Sequence, residues 1–453
     1  MVITAKFLSY EGWQVMNVLL MNSDFSTLSD SKIMPLTMYS LGAILRENGY
    51  YVKIIDPLLY RSGYYKESLD DVLSKICYDF DVIAFSTNAI SWAYAKKNIE
   101  LIRTKNYRGY IVVGGVHATT EYDSIMKNAY VDFVLRGEGE FSLLSLLDSI
   151  KNRIDHYKIP GIVYTHGSRI RMTKQSKLIE LNDCIPLPAY DLVPPNAYKT
   201  LSFESSRGCF GDCTFCSITY KKCWRGFSAD IAYKRLNAAT TIFMEHTDMS
   251  VRKHVLFVDD CFTADIKRAN ELLSLMKKSY KDCMFLIEAR LKHLFDDSLI
   301  ENIQSFPNIM LQVGVENGYN EGLLRIKKGI TVKDIEQCAQ ILFKHKLTQN
   351  VFFSFIIGMP GETKENMLKT LKTVENLRYN YGIHCYCSWW LPFPSPEFDV
   401  FKTMQTDLSD NIFDTIDWHA DPELFCKMRP HLNEKDVLEI TELMMGSKRP
   451  ASM

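Results

Sequence analysis

Two successive segments of the chain alternate short apolar runs with stretches of helical periodicity. In the first segment, from Met16 to about residue 150, the runs are MNVLLM, VKIID, VIAFST, YIVVGG and VDFVLRG. Each run except the last is followed by apolar positions at helical spacing, as in PLTMYSLGAILRENGY, where Gly49 supplies a C-terminal stop. This pattern predicts an α/β domain over residues 1–150 with a Rossmann-like, doubly wound parallel sheet, which binds ligands beyond the carboxyl ends of its strands.

The pattern changes between residues 151 and 198, where GIVYTHGSRIRM predicts a small hairpin and PLPAYDLVPP an extended, proline-braced linker. From residue 199 to about 400, the strand candidates are TLSFESS, HVLFVDD, CMFLIEA, IMLQVGV, NVFFSFIIG and HCYCSWW. Six such strands separated by helical spans predict a partial (β/α)6 TIM barrel, with its active site at the strand C-termini. Residues 401–453 carry weak helical signals and predict a short, mostly helical C-terminal extension.

Composition indicates where the protein is found but does not favour any particular class of partner. The 53 basic and 54 acidic residues nearly cancel, so net charge favours neither nucleic acid nor anionic membranes. No stretch approaches the ~18 apolar residues of a membrane span, and the amino terminus lacks a signal-peptide pattern, so we expect a cytoplasmic protein. Its twelve cysteines are therefore expected to be reduced thiols or metal ligands, and isolated ones such as Cys77 and Cys338 to fill the core.

Three cysteines form the most informative motif. Cys209, Cys213 and Cys216 follow the first barrel strand in ESSRGCFGDCTFCSI, with the spacing CxxxCxxC. Thiolates favour iron–sulfur clusters or zinc, and three ligands leave one iron of a [4Fe–4S] cluster with an open position, as a catalytic site needs. The alternative is a non-catalytic zinc or iron–sulfur module, with Cys223 as a fourth zinc ligand, but zinc ribbons usually present paired CxxC knuckles.

This motif, with the aromatic Phe215 before its last cysteine, closely resembles the signature of the radical S-adenosylmethionine (SAM) superfamily. The resemblance implies that the open iron chelates the amino and carboxylate groups of SAM. One electron from the cluster then yields methionine and a 5′-deoxyadenosyl radical. It also implies a one-electron donor such as flavodoxin or ferredoxin as a partner.

Further segments between residues 201 and 396 resemble the superfamily at successive strand ends, where a barrel enzyme collects its ligand contacts. The segments are FVDDCF, LIEAR, LQVGVENG with RIKKG, and FIIGMPGET. Taken alone, the charged residues among them could equally be solvated surface. The resemblance implies a SAM site formed by Phe215, Asp259, Asp260, Glu288, Arg290, Gln312, Glu316, Lys328, Ile357 and Gly358.

The first domain resembles the cobalamin-binding-like domain of the class B radical SAM methyltransferase type. The resemblance implies a cobalamin site on loops at the ligand-binding edge, formed by Ser86, Thr87, Gly114, Gly115, His117, Thr119 and Glu138. The loop NSDFSTLSDSK lacks the D-x-H-x-x-G element that supplies a histidine to cobalt, so we expect His117 to contact the corrin rim rather than the metal. GEGE follows the fifth strand and carries two glutamates, which argues against a dinucleotide site.

The resemblance makes a cobalamin-dependent methyltransferase acting on an unactivated carbon the leading hypothesis, with the substrate expected between the two domains. The alternative is radical cyclisation, dehydration or rearrangement without methyl transfer. A methylthiotransferase is disfavoured because that family needs three cysteines in its first domain and this one has only Cys77. The substrate, a peptide or another small natural product, stays open, and the segment around Trp389 and Trp390 could line its cavity or belong to the core.

Overall fold

The computed structural model describes residues 15–23, 33–127, 130–245, 253–280, 282–404, 412–415, 421–429 and 431–445. They divide into two compact units. The first contains Thr37–Leu178 together with the strand before it, and the second contains residues 33–36 and the chain from Ile179 onward. The sequence of the loop NSDFSTLSDSK contains no histidine that could bind cobalt. Most of this loop lies outside the described residues.

A seven-stranded sheet forms the centre of the first unit, in the order β2-β1-β3-β4-β5-β6-β7. The first five strands are parallel and coincide with the five apolar runs, so the Rossmann-like prediction is confirmed. Their near-continuous burial is typical of a parallel sheet covered on both faces. The strands are β1 (Asn17–Asn22), β2 (Tyr51–Ile55), β3 (Val82–Ser86), β4 (Tyr110–Gly114), β5 (Phe133–Leu135), β6 (Ile162–His166) and β7 (Arg169–Met172).

Helices connect these strands, and their ends follow ordinary capping chemistry. Asp56 and Ser68 accept backbone N–H groups at two helix starts, and Gly49, just past the first helix, has a φ of +80°, the conformation its predicted stop requires. The last parallel strand is also followed by a helix, which the sequence pattern missed. The helices are α1 (Leu36–Glu47), α2 (Pro57–Arg61), α3 (Leu69–Ile76), α4 (Trp92–Thr104), α5 (Val116–Thr120), α6 (Tyr122–Met126) and α7 (Glu140–Asn152).

The predicted hairpin is β6 and β7, but it is part of the sheet rather than of a separate linker. Strand β6 pairs antiparallel with β5 and extends the first unit beyond residue 150. Placing the hairpin with the linker was therefore wrong. The first unit continues to Leu178 by its internal contacts.

The second unit is built on six parallel strands in the order β15-β14-β13-β12-β11-β8, which confirms the partial barrel. A separate antiparallel ribbon of two strands precedes β11. The strands are β8 (Thr200–Phe203), β9 (Ser206–Cys209), β10 (Cys223–Gly226), β11 (Lys253–Phe257), β12 (Cys283–Arg290), β13 (Ile309–Glu316), β14 (Val351–Ile357) and β15 (His384–Trp389).

Burial alternates along β12, β13 and β14, so that one set of side chains packs under the helices and the other lines the concave side of the sheet. The concave set ends in Glu288 and Arg290 on β12. The helices are α8 (Ala229–Glu245), α9 (Ile266–Ser279), α10 (Asp297–Gln304), α11 (Asn320–Arg325), α12 (Val332–Lys344), α13 (Lys364–Tyr381), α14 (Pro396–Met404), α15 (Pro422–Lys427) and α16 (Glu434–Met445).

The described part of the C-terminal extension is helical and packs against the barrel strands. Ile440 and Met444 of α16 form one apolar cluster with Ile357, at the end of β14, and with Met367 and Leu371 of α13. The extension therefore belongs to the core of the second unit. Within the described ranges, the chain has no helix whose length and hydropathy would suit a membrane span.

Candidate active site

The three motif cysteines lie on a loop held by the antiparallel ribbon β9–β10. Cys209 ends β9, directly opposite Cys223 on β10, and the other two motif cysteines lie in the connection between the strands. Gly208 has a φ of +82°, and a Cβ there would lie 1.9 Å from the Cys223 carbonyl oxygen. Only glycine fits at this position, so the ribbon fixes where the loop begins.

Hydrogen-bond donors surround two of the sulfur atoms. The Gly211 N–H donates to Cys209 Sγ at 3.3 Å, and the Ile218 N–H donates to Cys216 Sγ at 3.4 Å. Arg290 Nη1 approaches Cys209 Sγ at 3.6 Å, and its Nη2 donates to the Lys328 carbonyl at 3.0 Å. Such donors stabilise thiolates and tune iron–sulfur clusters.

The thiols respond differently to these surroundings. A hydrogen bond from the Cys261 thiol, with further help from the Gly211 N–H and Arg290, lowers the pKa of Cys209 to about 5 although burial opposes this. Burial raises the pKa of Cys216 to about 11, and the neighbouring Cys213 adds to the effect. These surroundings therefore favour the thiolate form of Cys209 and the protonated thiol of Cys216, whose proton is released when the sulfur binds a metal.

The donors around the three motif cysteines are those that an iron–sulfur cluster requires. Within the described part of the chain, no three His, Cys, Asp or Glu side chains surround a common point as ligands of one ion would. A four-iron cluster binds each cysteine at a different iron, so its ligands stand further apart on a loop such as this one. Three thiols with backbone and guanidinium donors around them fit that group.

The two aspartates after β11 have different surroundings. Asp259 is 1% exposed, and its carboxylate accepts hydrogen bonds from the Ser205 N–H at 2.7 Å and from the Ser205 and Ser206 hydroxyls at 2.5 and 2.6 Å. These donors favour a structural role for Asp259. Asp260 accepts from the Gly208 N–H at 2.7 Å, next to the first motif cysteine, and is the better placed of the two for a ligand.

Glu288, Gln312 and Arg290 lie together on the concave side of the barrel. Glu288 is directly beside Gln312 in the β12–β13 register, and Arg290 is beside Gly314. Glu288 is solvent-exposed, yet protein on most sides limits its hydration, and this, with the negative charges of Asp260 and Glu316, raises its pKa to about 7. The mouth of the barrel thus holds a carboxyl group that titrates near neutral pH.

Glu316 and Lys328 form a buried ion pair, with 2.8 Å between Lys328 Nζ and Glu316 Oε1. The strand is irregular between Gly314 and Glu316, and the φ of Glu316 is +75°. A Cβ on Gly314 would lie 2.3 Å from Glu316 Oε1, so this glycine makes room for the pair. The resemblance implied that both residues contact SAM, and in this structure they bind each other.

The end of β14 is already hydrogen-bonded within the protein. The Ile357 carbonyl accepts from the Trp390 N–H at 2.8 Å, and the Gly358 and Met359 N–H groups donate to Glu362 Oε2 at 2.7 and 3.1 Å. Gly358 has a φ of +77°, and a Cβ there would meet the Trp389 ring at 2.7 Å. The ring of Trp389 therefore occupies the space beside Gly358 that a side chain would need.

That tryptophan is held by the C-terminal extension. Trp389 Nε1 donates to the Thr441 hydroxyl at 3.1 Å, and the buried Arg429 guanidinium lies over the Trp389 ring at 4.8 Å. Trp390 is buried against Phe401. Trp390 thus packs in the core, whereas Trp389 is only partly buried and packs against the apolar cluster that contains Ile357. Sequence reasoning missed Glu362 and Arg429, although the GxPGE spacing was a signal for the former.

In the first unit, the predicted cobalamin residues meet at the carboxyl edge of β3 and β4. The Thr87 hydroxyl donates to the Gly114 carbonyl at 3.1 Å. Gly115 has a φ of +99°, and a Cβ there would lie 2.4 Å from the Thr87 carbonyl oxygen. Ser86 ends β3, and Glu138 lies in the segment before α7. The edge predicted to bind a ligand is therefore formed by closely packed backbone.

His117 and Thr119 lie on helix α5, so their assignment to loops was wrong. His117 is 2% exposed and its ring is 5.6 Å from that of Trp92. This burial argues against the predicted contact between His117 and a corrin rim. The Thr119 hydroxyl donates to the Gly115 carbonyl at 2.9 Å and accepts from the Gly137 N–H at 2.9 Å, which ties two loops of this edge together.

Comparison with protein families matches residues 203–374 to the radical SAM superfamily and residues 28–147 to the B12-binding domain. The chain carries a radical SAM domain and a B12-binding domain. The radical SAM domain implies a [4Fe–4S] cluster and SAM as cofactors, and the B12-binding domain implies cobalamin. The radical SAM match begins at the end of β8 and contains all three motif cysteines.

Relatives with several activities are similar to this radical SAM chain. An uncharacterized methyltransferase, PH0819 of Pyrococcus horikoshii, is 27% identical over 392 residues, which cover 85% of this chain and 80% of that protein. The anaerobic magnesium-protoporphyrin IX monomethyl ester cyclase of Rubrivivax gelatinosus is 22% identical over 68% of this chain, but the match covers only 56% of the cyclase. A tRNA-2-methylthio-N(6)-dimethylallyladenosine synthase of Acinetobacter baumannii is 24% identical over 74% of this chain and 65% of that protein.

Two solved structures share the fold. The radical SAM methyltransferase TsrM of Kitasatospora setae, with cobalamin and a [4Fe–4S] cluster bound, matches with a TM-score of 0.67 and 14% identity over 86% of this chain and 75% of that one. The cobalamin-dependent radical enzyme OxsB, with aqua-cobalamin and SAM bound, matches with a TM-score of 0.66 and 18% identity over 88% of this chain and 56% of that one. The arrangement of a Rossmann-like unit before a partial barrel is therefore that of known proteins.

Proposed function

We propose that this protein is a cobalamin-dependent radical SAM methyltransferase that methylates an unactivated carbon. The observation that carries the proposal is the presence of a B12-binding domain and a radical SAM domain in one chain. The likeness to a relative named as a methyltransferase over most of both chains supports methyl transfer. Its substrate is proposed to be a peptide or another small natural product.

In this proposal the second unit holds the cluster through Cys209, Cys213 and Cys216. When bound, the cluster supplies one electron to SAM, and cobalamin supplies a transferable methyl group. Arg290 and the Gly211 N–H stabilise the thiolate of Cys209. Asp260, Glu288 and Gln312 offer acceptors and an amide on the concave side of the barrel, where they would orient the amino group and hydroxyls of SAM.

Two alternatives use the same fold. Methylthiotransferases are among the relatives, but the only cysteine in residues 1–150, Cys77, is buried at the end of α3 and offers no ligand set for a second cluster. Cyclisation without methyl transfer is the runner-up, because a cyclase is also among the relatives. The fate of the SAM methyl group distinguishes this reaction from the proposed one.

The test uses anaerobically purified, reconstituted protein with hydroxocobalamin, a strong reductant and SAM bearing a deuterated methyl group. We expect about four irons per chain, one cobalamin, 5′-deoxyadenosine, and cobalamin carrying the deuterated methyl group. Replacing the three motif cysteines by alanine should abolish iron binding, whereas the control Cys184→Ala, at an exposed cysteine, should not.

Each contrary result has a distinct meaning. Stoichiometric zinc without iron–sulfur absorption would exclude the radical reaction. Formation of 5′-deoxyadenosine by protein that takes up no cobalamin would exclude methyl transfer through cobalt and favour the runner-up.

A further inference from the structure

A patch of positive charge covers the outer side of the cysteine loop. Lys222 Nζ is 2.9 Å and Lys327 Nζ 3.7 Å from the carboxylate of Asp212, which lies between the motif cysteines 209 and 213. Lys221 adds a third positive charge near the same carboxylate. Three ammonium groups around one carboxylate leave the patch positive, on a chain whose formal net charge is −1.

The patch is exposed and contains apolar side chains. Lys222 is 66% and Lys327 61% exposed along their side chains. Phe210, in the cysteine loop, is 59% exposed, and Leu324, three residues before Lys327, is 81% exposed. Phe210 and Leu324 therefore add apolar area that a partner can cover to a surface whose positive charge attracts an acidic protein.

The patch is also joined directly to a motif cysteine. Lys221 Nζ donates to the Cys213 carbonyl at 2.8 Å, and the Cys213 thiol points to the Lys327 carbonyl at 3.9 Å. The Thr214 N–H donates to the Ile326 carbonyl at 3.1 Å, so residues 326–327 support the loop from outside. Lys221 and Lys327 of the patch are thus in direct contact with Cys213, a proposed cluster ligand.

Two of the lysines have an unusual backbone conformation. The φ angles of Lys222 and Lys327 are +59° and +52°, in the left-handed region that few non-glycine residues occupy. Glycine or asparagine would suit both turns better. Two lysines nevertheless occupy these turns, and both lie close to the Asp212 carboxylate. We take this as a sign that positive charge is needed on this surface.

We propose that Phe210, Lys221, Lys222, Leu324 and Lys327 form the docking surface for an acidic protein that donates one electron. This inference rests on the proposed function, because the cluster must be reduced from outside. The electron leaves the reduced centre of the donor, which is oxidised by one electron, and enters the cluster, which is reduced by one. No bond or proton is moved, so the surface needs only to hold the donor close to the cysteine loop.

The test measures reduction of the cluster by a reduced flavodoxin of net negative charge, in anaerobic stopped-flow experiments without substrate. The double variant Lys222→Glu/Lys327→Glu is compared with the wild type and with Lys344→Glu/Lys372→Glu, which carries the same charge change on exposed lysines of α12 and α13. We expect the second-order rate constant to fall at least about tenfold in the first variant at low ionic strength, and the difference to shrink as salt is added. The control variant should react like the wild type.

A small reductant, photoreduced deazaflavin, separates the possible failures. All three proteins should bind the same amount of iron and be reduced by deazaflavin at the same rate. Equal flavodoxin rates in the wild type and the patch variant, or equal slowing in both variants, would overturn the docking surface and leave the proposed function intact. A wild-type protein without a reducible cluster would overturn the proposed function itself.

Discussion

The buried pair of Glu316 and Lys328 gives the most quantitative prediction of the structure. Replacing Lys328 by methionine keeps the approximate volume of the side chain but removes its charge. Glu316 would then be a buried carboxylate without its cation, at a position whose strained backbone conformation already costs free energy. We expect this single change to destabilise the second unit strongly.

The size of the effect follows from the geometry. Two unit charges 2.8 Å apart attract each other by about 6 kcal/mol at an effective dielectric constant of about 20. Desolvation of both ions offsets much of this attraction, and breaking a buried pair by removing one partner typically costs about 3–5 kcal/mol. Burial opposes protonation of Lys328, but the charges of Glu316 and Cys213 and the hydrogen bond to Glu316 together outweigh it and raise the pKa of the ammonium group, so Lys328 is charged at neutral pH.

Urea unfolding followed by circular dichroism measures this loss as a lower midpoint. The double variant Glu316→Gln/Lys328→Met serves as the control, because it removes both charges and should recover about half or more of the lost free energy. If Lys328→Met unfolds at the wild-type midpoint, or if the double variant is no more stable than the single one, the pair does not act as described.

Three further predictions concern the two cofactor sites. Asp260→Asn should weaken SAM binding in calorimetry without changing the unfolding midpoint, whereas Asp259→Asn should lower the midpoint by disturbing its three donors; the reverse result would exchange the two roles. Glu288 is raised from an ordinary pKa of about 4.5 to about 7, so the folded state binds more protons between these values and stability should fall as pH rises through this range. Glu288→Gln should remove that fall in pH-dependent unfolding, and an unchanged profile would contradict the assignment. Electron paramagnetic resonance of the cob(II)alamin form should show no nitrogen splitting from an axial imidazole, because His117 is buried in α5; such splitting would require another histidine or a retained cobalamin base.

The parallel strands of both units, although not their order in the sheets, could be predicted because buried parallel strands are short apolar runs. Runs such as VIAFST and YIVVGG became β3 and β4 within one or two residues of the expected bounds. The cysteine motif could also be recognised from the sequence, because its three cysteines lie within eight consecutive residues. Strand alternation predicts that Gln312 and Glu316 both face the mouth of the barrel. Gln312 lies beside Glu288 as expected, but the strand is irregular before Glu316, which is buried in its pair with Lys328.

The remaining features depend on contacts that are distant in sequence. Nothing in FVDDCF distinguishes Asp259 from Asp260, because the difference arises from serines more than fifty residues earlier in the chain. The ribbon β9–β10 was missed because its strands are only four residues long and half-buried, without an apolar run. His117 was assigned to a loop because the helix α5 has only five residues and begins directly after a glycine turn.

The packing of α16 on α13 and on the end of β14 limits how the protein can be divided. A fragment cut at residue 374, where the radical SAM match ends, would lack β15 and expose Ile357, Met367 and Leu371 to water. It would also lose Trp389, the side chain that packs beside Gly358 and that Thr441 and Arg429 hold in place. We therefore expect a stable barrel fragment to extend to Met445, and domain exchange with a relative should carry the tail along with the strands it covers.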